Sequence, residues 1–276
     1  MFLLDASSAL IAAVCYFVSG HLQYHHLTGA GTRPISESST ERWLMPLVLV
    51  ATALHGLHLY RTLWVAGGIH LGLFRVAALA SWLMVLIVLL GGIRLRLRNL
   101  FAFVLPIAAT TLILNAFIDT HYQPLQGLPL GVLSHVCISV FAFSLLGIAA
   151  LQALVLAFQN HQLKAHHTRG LLATLPPLET MEVLLFRVIG AGFVTLTAAI
   201  LTGAVFIEDM FAQHLLHKTF FTLLAWLVFA LLLVGRRVLG WRGTTAIRWT
   251  IAGFAVLALG IFGSKLALEV LLQTQA

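Results

Sequence analysis

The chain alternates long apolar runs with short polar connections, and this alternation sets the first expectation about its fold. Each run is close to the length of about 20 residues that a helix needs to cross a bilayer. A single span must satisfy its own backbone hydrogen bonds in lipid, so every run is predicted to be a helix. The sequence therefore predicts an all-α integral membrane protein, a bundle of about eight transmembrane helices. The runs lie at about residues 4–20, 43–62, 73–92, 100–117, 132–158, 183–206, 219–236 and 249–271.

Composition supports this fold class and excludes several functions. Of the 276 residues, 60% are hydrophobic and only 9% are charged, with a mean hydropathy of +0.99. A soluble domain carries about 25% charged residues. Cys15 and Cys137 both lie in apolar runs without a CxxC spacing, so dithiol exchange and a structural zinc site are not expected. The net charge of +7 comes with no basic tract or zinc-finger pattern, so nucleic acid is not an expected partner.

The distribution of lysine and arginine predicts the orientation in the membrane. One set of connections is rich in these residues, whereas the other set carries Lys218 as its main cation. Because cytoplasmic loops hold the excess of positive charge, the rich side is predicted to be cytoplasmic and both termini to be outside. The first run follows MFLLD with no basic region and no small-residue cleavage site, so we expect a retained span. The cytoplasmic set is Arg33, Arg42, Arg94, Arg96, Arg98, Lys164, Arg169, Arg236, Arg237 and Arg242.

Several of the 13 histidines are predicted to lie at one membrane level, near the outer face. His55 and His58 are in the outer half of the second span, His135 opens the fifth, and His217 precedes the seventh. A charged side chain inside the membrane costs about 2.5 kcal/mol or more, so such residues are candidates for function. Neutral imidazole is a ligand of haem iron and of transition metals. The alternative is that each histidine is hydrogen-bonded to a neighbouring carbonyl or hydroxyl group.

Spacing limits the ligand sets that these histidines can form. His55 and His58 share one helical face but are offset by nearly a turn, so both cannot bind one iron axially. A haem site would need a partner such as His135 or His217. Arg75, at the outer start of the third span, could reach the interface or pair with a haem propionate. No HExxH motif, Ser-His-Asp arrangement or phosphate-binding glycine loop is present in the sequence.

The second half of the chain carries a more specific pattern. Three segments carry this pattern: LETMEVLLFRVIGAGFVTLTAAILTGAVF (178–206), HKTFFTLLAWLVFALLLVGRRVLGWRGTTA (217–246) and AGFAVLALGIFGSKLALE (252–269). Together they resemble the cytochrome c assembly family, and within it the HemX-like inner-membrane branch related to CcsA-type haem handlers. LHGLHLYRTLW and LFRVAALASW extend the resemblance into the first half. We expect residues 1–42 to hold the first helix and a cytoplasmic loop, and residues 43–276 to form the cytochrome c assembly-like part of one membrane domain.

This resemblance implies a bundle that opens outward and presents haem. His135, in LSHVCISVFAF, stands where the family places an outer-face haem-ligating histidine. Lys218 takes the place of the lysine in the family's tryptophan-rich outer segment. The tryptophans and the aspartate of that segment are absent from AQHLLHKTFF, so we do not expect ligase activity. The CcsA-type pattern does not account for His55, His58 and His217, and the presence of these histidines resembles the HemX-like branch.

The sequence thus predicts an integral protein of the bacterial inner membrane that binds or handles haem b and is not itself an enzyme. The expected ligand set is His135 with His55 or His217, and Arg75 and Lys218 are available for the propionates. The expected partners are membrane lipid and a haem-handling or transporter membrane protein. The alternative is a non-catalytic membrane subunit that supports a partner such as an ion transporter and has lost the family's haem site. Few interruptions within the spans and no clear inverted repeat argue against a transporter in its own right.

Overall fold

The computed structural model is almost entirely helical. It describes residues 2–29, 37–65, 67–94, 97–118, 124–164, 175–207, 213–263 and 265–266. The helices are α1 (Phe2–Gly29), α2 (Glu37–Leu63), α3 (Leu73–Arg94), α4 (Phe101–Phe117), α5 (Leu130–Lys164), α6 (Leu178–Phe206), α7 (Gln213–Val238) and α8 (Gly243–Ala258). A 3₁₀ turn at Leu97–Leu100 precedes α4, and a π-helical turn at Leu259–Gly263 continues α8.

Eight of the helical segments in the described residues are long and apolar enough to cross a membrane. They overlap the eight runs predicted from the sequence one by one, which confirms the all-α multi-span fold. The observed helices extend beyond several runs because polar residues continue the helix past the hydrocarbon layer. The spans are Ala6–Leu27, Arg42–Leu63, Leu73–Gly92, Leu97–Phe117, Leu130–Lys164, Leu178–Phe206, Leu216–Val238 and Gly243–Gly263.

The chain divides into two compact units. The first comprises Met1–Asp119 and Gln159–Pro177, and the second comprises Thr120–Phe158 and Leu178–Ala276. Helix α5 therefore contributes its first 29 residues to the second unit and its end to the first. The boundary at residue 42 that the sequence predicted stays a prediction.

In the first unit, α1 packs against α2 and α4, and α3 packs against α2 and α4. Small residues allow these helices to approach closely, as is usual in membranes. Ala9 and Ala12 of α1 are buried against Leu112 of α4. Gly20 of α1 lies against the ring of Pro106, where an added Cβ would come within 3.1 Å of the ring. Pro106 thus lies within α4, and the residue of α1 that covers its ring, Gly20, has no side chain.

In the second unit, glycines again mark the helix contacts. A Cβ on Gly192 of α6 would lie 2.6 Å from Leu146 of α5, so a larger residue there would collide with α5. Helices α7 and α8 meet where Gly253 lies beside Phe229. The Leu259–Gly263 turn packs on α7, since a Cβ on Gly260 would lie 2.9 Å from Phe221.

A small hairpin joins α2 to α3, where the sequence predicted only a loop. Trp64–Val65 pairs in antiparallel fashion with Gly68–Ile69. Gly68 has a φ of 125°, a conformation that glycine adopts without strain. The backbone N–H of His70 then donates to the carbonyl of Leu63 at 2.9 Å. The hairpin therefore fixes the start of α3 against the end of α2.

Candidate functional site

His55 is the most enclosed of the candidate residues. Its side chain is 0% exposed, and neither ring nitrogen has a hydrogen-bond partner in the part of the chain that the structure describes. It lies eight residues before the end of α2, which places it about 12 Å from that end along the helix axis. Buried polar groups are nearly always hydrogen-bonded, so a bare buried imidazole calls for an explanation.

The wall beside His55 is built by three helices of the first unit. The Tyr16 ring of α1 meets the imidazole edge-on, with ring centroids 5.8 Å apart. The Tyr16 hydroxyl donates to Oγ1 of Thr52 at 3.4 Å, and that hydroxyl donates to the carbonyl of Val48 at 2.6 Å. Trp82 of α3 donates its indole N–H to the Thr52 carbonyl at 2.8 Å. These groups bond to one another, which explains why none of them bonds to His55.

Gly56 is what allows α3 to come so close at this level. A Cβ at this position would lie 3.0 Å from Cζ2 of Trp82. Because Gly56, the residue after His55, has no side chain, the indole ring of Trp82 can approach α2 closely. The ALHGLH segment combines two imidazoles with this close contact of α2 and α3.

His58, His70 and Arg75 lie nearer the end of the first unit that the sequence predicts to face outward. His58 is 2% exposed, and it lies on the same buried face of α2 as His55, as the spacing predicted. His70 is buried in the connection to α3, and its Nδ1 accepts the backbone N–H of Gly72 at 3.2 Å. Arg75 is half-buried, near the start of α3. Arg75 therefore lies closer to a helix end than His55 does.

His135 has a different environment, in the second unit. Its Nδ1 lies 2.9 Å from the carbonyl of Ala199 on α6, and its Nε2 lies 3.5 Å from the hydroxyl of Ser139. The ring rests on Gly203, where a Cβ would come within 2.9 Å of Cε1. With Nδ1–H donated to a carbonyl, the lone pair of this tautomer is on Nε2. Histidines that bind metals are usually oriented in this way by a second hydrogen bond, but a purely structural histidine uses the same bond.

His217 and Lys218 lie in the first two turns of α7, which begins at Gln213. His217 is exposed, and within the described ranges it makes no hydrogen bond, ion pair or ring contact. Lys218 is half-buried, and its carbonyl accepts the hydroxyl of Thr222 at 2.8 Å. The candidate residues therefore fall in two sets, with His55, His58 and Arg75 in the first unit and His135, His217 and Lys218 in the second.

Sequence reasoning missed Tyr16, Thr52 and Trp82, which shape the surroundings of His55. Each is an ordinary residue of an apolar span, and only the packing of three helices brings them together. The one available signal was the glycine beside His55, since a glycine within a span often marks a close helix contact.

A cluster of charged residues at the other end of the second unit was also missed. Arg236 of α7 donates to the carboxylate of Glu182 on α6 at 2.9 Å, and Nε of Arg242 donates to the same oxygen at 3.3 Å. Arg236 also donates to the carbonyl of Trp241 at 3.2 Å. Arg242 of the GWRG segment thus connects the turn after α7 to α6. The sequence had indicated only that these arginines set the orientation in the membrane.

No group of three or more histidine, cysteine or acidic side chains that could hold a metal ion occurs in the described residues. A haem needs only one or two protein ligands, because the porphyrin supplies four nitrogens.

Comparison with known proteins decides the family. The family described as cytochrome c assembly protein matches residues 43–272. The chain belongs to this family. With its eight apolar spans and an inner-membrane relative, it is a multi-pass protein of the bacterial inner membrane.

Individual relatives cover different parts of the chain. Inner membrane protein YpjD of Escherichia coli (strain K12) is 31% identical over 205 residues, which cover 74% of this chain and 77% of YpjD. Cytochrome c biogenesis protein CcsA of Microcystis aeruginosa is 34% identical over 102 residues, which cover 34% of this chain and 31% of CcsA. An uncharacterized 28.8 kDa protein of Azospirillum brasilense is 29% identical over 140 residues, half of each chain. No solved structure matches significantly.

Proposed function

We propose that this protein binds haem b within the membrane and handles it as a HemX-like member of its family, without ligase activity of its own. The observation that carries the proposal is His55, a fully buried imidazole with neither nitrogen hydrogen-bonded in the described residues. Binding an iron would satisfy one of these nitrogens and explain why a polar group is kept in an apolar wall.

The other residues of the first unit fit the same ligand. Tyr16 and Trp82 contribute aromatic surface near His55, which suits a flat apolar macrocycle. Arg75 lies close to the helix end, where a propionate of an upright haem would meet the interface, and arginine binds carboxylates well. His135 is proposed as a ligand in the second unit, because its Nδ1–H bond to the Ala199 carbonyl puts the lone pair on Nε2, which would exchange its long contact with the Ser139 hydroxyl for the iron. His58, His217 and Lys218 stay weaker candidates.

The experiment is to purify the protein after expression with ample haem and to record its absorption spectrum. We expect a Soret band, and a pyridine-haemochrome spectrum of the b type. Expression in haem-deficient cells, followed by titration with haemin, separates a site that was never loaded from a site that does not exist. Protein that stays colourless in both preparations would contradict the proposal.

One observation favours the alternative, a subunit that supports a partner membrane protein and has lost the haem site. In the second unit His135 already has hydrogen-bond partners in Ala199 and Ser139, and His217 is exposed, so neither imidazole is a buried group in need of a ligand. A colourless protein that co-purifies from its native membrane with an ion-transport protein would support this alternative.

A further inference from the structure

Helices α6 and α7 border a groove in the second unit that the proposed function does not use. Its volume is about 600 Å³, and its walls include apolar residues of both helices. Val183, Val194 and Val234 line it and are exposed, so they meet the hydrocarbon of the bilayer. None of the described residues that line the groove is among the proposed haem ligands.

Three arginines line the same groove. Arg236 is neutralised, because it pairs with Glu182 at 2.9 Å and lies over the ring of Phe186 at 4.7 Å. Arg187 and Arg237 are exposed, and within the described part of the chain neither of them forms an ion pair or hydrogen bond. The groove therefore holds two uncompensated positive charges beside one compensated charge.

The depth of Arg187 makes an anionic ligand the natural partner. It lies nine residues into α6, inside a segment apolar enough to span the membrane. Charged residues in such segments are costly and usually pair or reach toward the interface. Arg237 lies one residue before the end of α7, so its charge is at the membrane surface. An arginine pair at this level matches the phosphate of a lipid headgroup.

The apolar length of the groove matches the rest of a lipid. From Val183 to Val194 the groove follows α6 for about 16 Å. A Cβ on Gly190 would have nothing within 4 Å, so the middle of the groove is open. Phe193, whose ring stacks on Trp226 with centroids 5.4 Å apart, lines the far part. This shape accommodates an extended acyl chain next to a charged head.

We propose that this groove is a binding site for an anionic phospholipid, with the phosphate on Arg187 and Arg237 and an acyl chain along Gly190 toward Phe193. Zwitterionic lipid is disfavoured because its own cation would face the same arginines. Glu182 does not offer that cation a partner, since its carboxylate already accepts Arg236 and Arg242.

The test uses the purified full chain in detergent and native mass spectrometry, with cardiolipin and phosphatidylcholine as probes at equal concentration. We expect the wild type to retain cardiolipin in preference to phosphatidylcholine. The double variant Arg187→Gln/Arg237→Gln should retain cardiolipin about 25-fold less, because each arginine near the surface contributes roughly fivefold to anionic lipid binding.

Two further variants make the result decisive. Arg61→Gln/Arg248→Gln removes the same charge from exposed positions outside the groove and should leave cardiolipin retention unchanged. Gly190→Trp fills open space, so it should reduce retention while the unfolding midpoint without added lipid stays at the wild-type value. Equal retention of the two lipids by the wild type, or an equal loss in both double variants, would overturn the proposal.

Discussion

The rings of Tyr16 and His55 make an edge-to-face contact, with their centroids 5.8 Å apart and their planes inclined by 73°. The phenol hydroxyl is turned away and donates to Thr52 instead. His55 thus receives packing from its neighbour but no hydrogen bond. A buried polar group in this condition lowers stability unless a ligand satisfies it.

This relationship predicts opposite effects of His55→Leu with and without haem. Leucine fills similar volume and removes a bare polar group, whose burial costs about 1–3 kcal/mol. In protein from haem-deficient cells the variant should unfold at a temperature equal to or higher than the wild type. In haem-replete protein it should lack the stabilisation that haemin gives to the wild type. Thermal unfolding in detergent, with and without haemin, measures both effects. A clear loss of stability in the haem-free variant would mean that the imidazole has a structural partner.

Ligation itself is tested by single alanine substitutions. Removing an axial imidazole changes the spectrum and loosens the haem. We therefore expect His135→Ala and His55→Ala each to lower haem occupancy or change the spin state. His217→Ala should have a smaller effect, since that side chain is exposed. His121→Ala, at a residue outside the described ranges, is the control and should change neither property. Wild-type haem content and spectrum in both the His135 and the His55 variants would show that the ligands are other residues.

Two glycines of α6 should respond oppositely to the same substitution. A Cβ on Gly203 would come within 2.9 Å of His135, so Gly203→Ala should displace the imidazole from the Ala199 carbonyl and lower the unfolding midpoint. A Cβ on Gly190 meets nothing within 4 Å, so Gly190→Ala should keep or raise the midpoint, since alanine favours a helix over glycine by about 1 kcal/mol. Thermal unfolding of the two variants in the same detergent measures the contrast. Equal midpoints would show that His135 moves aside without cost.

The carboxylates of α6 allow another matched comparison. The Glu182 side chain is 10% exposed and lies 2.9 Å from Arg236, whereas Glu179 is 79% exposed and lies 3.6 Å from Arg242. Glu182→Gln leaves a partly buried arginine without its charge partner and should cost about 2 kcal/mol or more. Glu179→Gln should cost about 1 kcal/mol or less, as is usual for exposed pairs. The midpoints of chemical unfolding test this ranking, and a larger loss in the Glu179 variant would reverse it.

The sequence predicts features that lie within one helix, but it does not predict which side chains of different helices meet. Span positions follow from local composition, because each helix must satisfy its own backbone in lipid. The shared burial of His55 and His58 follows from their spacing on one helix. The contacts of His55 with Tyr16, and of Glu182 with Arg236, join different helices. Apolar spans present hydrophobic residues on every face, so periodicity does not indicate which side of α1 or α6 meets its neighbour.

The orientation of the chain in the membrane decides on which side the end of α2 nearer His55 lies. Lysine and arginine concentrate on one set of connections, including Arg236, Arg237 and Arg242 at the end of α7. The positive-inside rule therefore predicts that both termini face the periplasm. A reporter that is active only outside the cytoplasm should be active when fused at Ala276 and inactive when fused within residues 164–170. A cytoplasmic reporter at the same two positions is the control and should give the reverse pattern. If the first reporter is active only at residues 164–170, then His55 lies in the inner half of the membrane, and haem would have to be met from the cytoplasmic side.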